Sequence, residues 1–139
     1  MKTTGNMYTN LLTMSYKTHK PNCANYTTGG LKIMFINVRG INSKINNNIL
    51  QDLCKNYDIV GFAETFSNSF DKTVFSDFNV YTGGNENKLK AFHGLALMVK
   101  TTFQHIFSET SVGLWCKIKC KSEQFNIGLF YAPCEGSRY

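Results

Sequence analysis

From residue 31 onward the chain alternates apolar runs with short polar breaks, a pattern that residues 1–30 lack. Those first thirty residues carry much Thr, Asn, Tyr and Lys, show no clear period and end in Gly29-Gly30. They read as a polar, flexible lead-in. "LKIMFINV" (31–38) then places Leu31, Ile33 and Phe35 on one alternating face and Met34, Ile36 and Val38 on the other. Apolar residues on both faces predict a strand covered on both sides. "RGINS" breaks the run at Gly40. Ser43 is the expected N-cap of a helix in which Ile45, Ile49, Leu50, Leu53 and Cys54 recur at helical spacing, ending near Lys55. "DIVGFAE" (58–64) returns as a second doubly apolar strand, so strand, helix and strand make a βαβ unit with parallel strands.

The stretch 65–93 is loop-rich, broken by Asn68, Asn79, Gly83-Gly84 and Asn87, with one short strand predicted at 78–81. "GLALMVK" (94–100) predicts a third strand. Over 114–121, Leu114, Cys116, Ile118 and Cys120 alternate with Trp115, Lys117, Lys119 and Lys121, a period of two with one face buried. A tight turn at 122–123 leads into "QFNIGLFY", where Phe125, Ile127, Leu129 and Tyr131 share a face. The last two strands are thus expected as an antiparallel hairpin. No internal repeat is evident, and 31–139 reads as one domain.

Composition narrows this picture. With 139 residues, 42% hydrophobic, 14% aromatic and 17% charged, the chain is globular and can build a packed core. Its net charge is +6, and Lys2, Lys17 and Lys20 stand in the lead-in with no acid beside them. That excess suits a polyanionic partner without requiring one. Five cysteines without a C-x-x-C pair read as reduced thiols, not as a disulfide framework or a zinc site. Neither a secretion signal nor a run of transmembrane length is evident, so the expected setting is intracellular, nuclear or cytoplasmic, with no membrane partner. Asn25-Tyr26-Thr27 matches the glycosylation pattern, a chance match in that setting.

Candidate chemistry gathers at strand ends. Asn37 closes the first strand and Glu64 the second, and parallel pairing brings both to one edge of the sheet. Ligands of α/β sheets bind outside the carboxyl ends of strands. An amide and a carboxylate there can hold a hard divalent cation and orient a phosphate oxygen. The residues alone leave a second reading open, in which Glu64 is solvated as its strand exits and Asn37 caps the turn at Gly40. Tyr131, also at a strand end, can donate its phenol to a phosphate oxygen or stand as an edge aromatic in water. Arg39 and Lys44 flank the first loop as nucleic-acid contacts or as ordinary surface charge. Lys117, Lys119 and Lys121 could form a basic stripe but read better as a solvated strand face, and His93 and His105 read as structural or exposed residues.

"LKIMFINVRGINSKI", "DIVGFAETF", "GLALMVK", "LWCKIKC" and "FNIGLFYAPCEGSRY", in that order, resemble the N-terminal half of an endonuclease/exonuclease/phosphatase (DNase I-like) domain. They are most like the apurinic-like endonuclease of LINE-type retrotransposons. The resemblance implies the N-terminal half of a four-layer α/β sandwich, beginning with the βαβ unit and ending in the hairpin. It implies a Mg2+-dependent phosphodiesterase that nicks DNA. By that resemblance Glu64 matches the metal-binding glutamate and Asn37 the asparagine that positions the scissile phosphate. Tyr131 matches the tyrosine that contacts the phosphate in the transition state.

The family continues into a "G-D-x-N" and an "S-D-H" segment, and neither occurs in these 139 residues. The resemblance therefore implies an incomplete single-cation site, a missing C-terminal half, and little activity for this chain alone. It also implies an apolar sheet face left open. Two alternatives stand beside it: a non-catalytic remnant or nucleic-acid or protein interaction module, and a phosphatase of the same superfamily.

Overall fold

The computed structural model describes residues 12–15, 31–67, 69–83, 94–110, 113–120 and 123–130. Their apolar runs form eight strands: β1 (Leu12–Ser15), β2 (Ile33–Asn37), β3 (Ile59–Ala63), β4 (Phe78–Gly83), β5 (Leu95–Lys100), β6 (Gln104–Thr110), β7 (Gly113–Cys120) and β8 (Glu123–Phe130). Among the described residues, one α-helix, α1 (Asn48–Lys55), and a single 3-10 turn at Lys72–Phe75 complete the regular structure.

The strands make two four-stranded sheets, ordered β2-β3-β5-β4 and β1-β8-β7-β6. In the first, β2 and β3 pair in parallel, whereas β5 runs antiparallel to both β3 and β4. The second is antiparallel throughout, β7 and β8 forming the expected hairpin. Position within the sheet explains the burial. β3 lies between two neighbours and is buried along its whole length, which is why "IVGFA" lacks a polar break, while β2 at the edge is only half-buried.

The two sheets face each other across one apolar core. Ile59, Ala63, Leu95, Leu97 and Val99 of the first meet Leu114, Cys116, Ile118, Phe125, Ile127 and Leu129 of the second. A second cluster lies on the other face of the first sheet. There Val60, Phe62, Ala96 and Met98 pack under Leu50 and Cys54 of α1, with Ile41, Ile45, Phe70 and Phe75 from the surrounding loops. Burial pushes the Cys54 thiol up to about 11 and the Cys116 thiol up to about 12, so both stay protonated at neutral pH.

The architecture corrects the expected class. The chain is mostly β, two sheets with one eight-residue helix, and not half of a four-layer α/β sandwich. Two strands escaped the sequence pattern. β1 falls inside the stretch read as a lead-in, and β6 mixes polar with apolar residues on its way along a sheet edge. With these two strands added, the hairpin becomes a second sheet. It covers the apolar face that was expected to lie open. The helix is also shorter than its stripe implied. Asn47, not Ser43, is the N-cap, its side chain accepting from Ile49 N at 2.9 Å, while the Ser43 hydroxyl donates to Gly40 O at 3.2 Å. Asn46 to Asn48 delay the helix, because a short amide competes for backbone donors. Among the described residues no helix is long and apolar enough to cross a membrane.

Candidate functional site

Register builds the site. Asn37 pairs with Ala63, so the last residue of β2 stands beside the residue before Glu64. The pairing runs on past the strands: Val38 N donates to Ala63 O at 3.0 Å, Gly40 N to Glu64 O at 2.7 Å and Ile41 N to Thr65 O at 2.9 Å. On the other side Thr65 N donates to Gly94 O at 3.0 Å, tying the same loop to the residue ahead of β5. The Thr65 hydroxyl fills the space where a Cβ on Gly94 would stand and donates to Ser67 O at 3.1 Å. The Glu64 loop is thus laced to its neighbours on both sides.

Its backbone is strained. Arg39, Glu64 and Phe66 hold φ of 45°, 52° and 56°, and Gly40 between the loops holds 92°. Positive φ is uncommon outside glycine, and three such residues on two adjoining loops mark a geometry that the surroundings impose. Phe66 lies over Gly40, where a Cβ would come within 3.5 Å of its ring, and is itself 39% exposed.

Two polar groups are held in this edge. Glu64 is 8% exposed and, with Thr65, is one of two buried polar or charged residues among those described. Asn37 Oδ1 accepts from Arg39 N at 3.1 Å, which fixes the amide. That Nδ2 is buried and has no hydrogen-bond partner among the described residues. A buried donor without an acceptor costs about 1–3 kcal/mol. Such an orphan is what an anionic oxygen would satisfy.

The other predicted residues fare differently. Lys44 does not reach outward, because its Nζ donates to Arg39 O at 3.0 Å and Gly40 O at 3.3 Å, clamping the first loop from within. Arg39 is exposed beside the edge. Tyr131, His93 and Lys121 lie outside the described residues. Among the described residues no three His, Cys, Asp or Glu side chains cluster as a metal cage.

Sequence reasoning missed some contacts. His105 is neither free nor fully exposed: Nδ1 lies 2.8 Å from Phe103 O and Nε2 2.6 Å from the Tyr81 hydroxyl, while the Tyr81 ring stacks on Phe107 at 4.1 Å. Burial raises the Tyr81 phenol above its ordinary value. No local pattern announces this pair, which forms only when β4 and β6 meet across the sheets. An open groove of about 510 Å3 lies at the opposite end of the first sheet, where β3 begins and β5 ends. Its charges are partly paired internally, Lys100 Nζ lying 3.7 Å from Asp58 and donating to Lys55 O at 3.1 Å.

No protein-family model matches the chain, and no curated protein matches it.

Proposed function

We propose that the Asn37–Glu64 edge is a divalent-cation-dependent phosphodiester site acting on DNA, of the endonuclease type that the ordered motifs resemble. One observation carries the reading: parallel register pairs Asn37, whose amide nitrogen is buried without a partner among the described residues, with the residue before the buried Glu64, on strained loops at the carboxyl edge of the sheet. The donor set fits Mg2+, which is commonly held through one or two carboxylates with water and substrate phosphate completing its shell. Glu64 would hold the ion. When bound, it polarises a phosphoryl oxygen and offsets the charge of the transition state.

The chain's own residues do the positioning. The Asn37 amide, braced by Arg39 N, donates Nδ2 to a non-bridging phosphate oxygen. Lys44, bonded to the loop carbonyls, holds the turn between the two strand ends and offsets the negative ends of those dipoles. By the resemblance, Tyr131, which lies outside the described residues, would add a phenol donor. These 139 residues hold no "G-D-x-N" and no "S-D-H" segment. Without those groups, cleavage by these 139 residues should be very slow even where binding is intact.

Duplex-DNA binding, followed by anisotropy with Ca2+ or Mg2+ and then excess EDTA, tests the site. Cation should strengthen binding, EDTA should reverse the gain, and Glu64→Gln should abolish the cation-dependent part. Supercoiled plasmid should not be nicked above background. Binding indifferent to cation, or unchanged in Glu64→Gln, would remove Glu64 from the site.

A further inference from the structure

We infer that the outer face of the second sheet is a docking surface for single-stranded nucleic acid, distinct from the Asn37–Glu64 edge. The alternation of β7 creates it. Leu114, Cys116 and Ile118 point into the core between the sheets, so Trp115, Lys117 and Lys119 stand on the opposite face. Register extends that face across the neighbouring strands. Trp115 pairs with Gly128 and Ser108, Lys117 with Asn126 and Ile106, and Lys119 with Gln124 and Gln104. The helix and the second apolar cluster lie on the first sheet, so no described element covers this one.

Three properties select the occupant. The first is charge: Lys117 and Lys119 are exposed, and among the described side chains no Asp or Glu occupies an outward position on β6, β7 or β8. A cationic face without acids on a chain of net charge +6 complements a polyanion. The second is an aromatic platform. The six-membered ring of Trp115 lies over Gly128, where any Cβ would collide with it, and its Nε1–H donates to Thr110 Oγ1 at 3.1 Å. The indole is held by its edge and seated on bare backbone. The indole is half-buried, and a base would stack on its other π-face. Base stacking on aromatic side chains is worth about 1–3 kcal/mol per base and tolerates any sequence, but it needs the base unpaired.

The third property is spacing and chemistry. Successive outward residues of a strand stand about 6.8 Å apart, so stacking and phosphate contacts alternate along one line. Gln104, Gln124 and Asn126 flank that line with amides that can reach base edges. A duplex hides its base faces and an acidic peptide has none, so the fixed indole favours a single strand over both.

Trp115 is the chain's sole tryptophan, so its emission reports on this face alone. The experiment titrates the full chain with oligo(dT) of twenty nucleotides in EDTA at low salt, reading Trp emission and the anisotropy of labelled oligonucleotide. Chelation silences the proposed cation-dependent edge, so the two readings fail separately. Binding should quench Trp115 and reverse on adding KCl. Lys117→Gln with Lys119→Gln should lower the slope of log affinity against log salt by about 1.4. Both lysines are exposed, so the far-UV circular dichroism should be unchanged. Trp115→Ala should weaken binding about fivefold or more, and Trp115→Phe should restore most of it. Absence of quenching, equal binding to duplex DNA, or equal quenching by polyglutamate would each overturn the assignment.

Discussion

Glu64 raised the sharpest question at the scale of single residues, and Asn37 gives the more testable answer. The amide is retained with one donor unsatisfied in the interior, a cost of about 1–3 kcal/mol against the roughly 1 kcal/mol that its bond to Arg39 N returns. Asn37→Ala should therefore leave stability unchanged within about 1 kcal/mol, or raise it slightly, while weakening DNA binding. Urea denaturation and anisotropy measure the two effects side by side. A loss of more than about 2 kcal/mol would make Asn37 a structural cap and nothing more. That both residues sit at one edge was legible in the sequence, because parallel pairing follows from two doubly apolar runs around a helix. The orphaned Nδ2 and the positive φ of Glu64 were not, since both depend on the loops that meet there. The inward turn of Lys44 was hidden for the same reason: a lysine beside a glycine loop looks like surface charge until the carbonyls are placed.

Among the elements, α1 shows how local chemistry trims a pattern. Ile49 and Leu53 belong to the apolar stripe that predicted the helix, yet they are 75% and 37% exposed, and within α1 only Leu50 and Cys54 are buried. The stripe begins at Ile45, but residues 41–47 form turns whose Ile41 and Ile45 reach the core ahead of the helix. Asn47→Ala should cost about 1 kcal/mol, seen as a lower urea midpoint with an unchanged slope, whereas Ser43→Ala should cost much less. Equal effects would return the cap to Ser43. β6 was invisible for a different reason. Its inward residues are His105, Phe107 and Glu109 and its outward ones Gln104, Ile106, Ser108 and Thr110, so neither face is uniformly apolar. Edge strands carry weak alternation because one side is wet.

For the molecule as a whole, the decisive fact is that the chain supplies both layers of its core. The runs with clean alternation give the second sheet only two strands, and the resemblance to half of a domain implied an exposed apolar face. β1 and β6 complete it, and Leu114, Ile118, Ile127 and Leu129 are essentially inaccessible to solvent. Gly61 shows how closely the layers approach. It pairs with Phe35, whose ring occupies the space a Cβ would need, and the Leu129 methyl from the opposite sheet would lie only 3.3 Å from that Cβ. Gly61→Val should destabilise the fold by about 1–3 kcal/mol, since the half-buried Phe35 ring would have to shift and the buried Leu129 leaves it little room. Thermal unfolding would show it, and an unaltered melting temperature would mean that the sheets are looser than their contacts imply.

The pairing of β1 with β8 has a consequence in time. All four strands of the first sheet lie between residues 33 and 100, so that layer is encoded by one continuous stretch of chain. The second sheet closes only when residue 12 meets residue 129. During synthesis on a ribosome β1 must therefore wait, unpaired at this edge, until β8 emerges. The first of the described strands to be made is among the last of them to find its neighbour, and its pairing carries the longest loop closure among them.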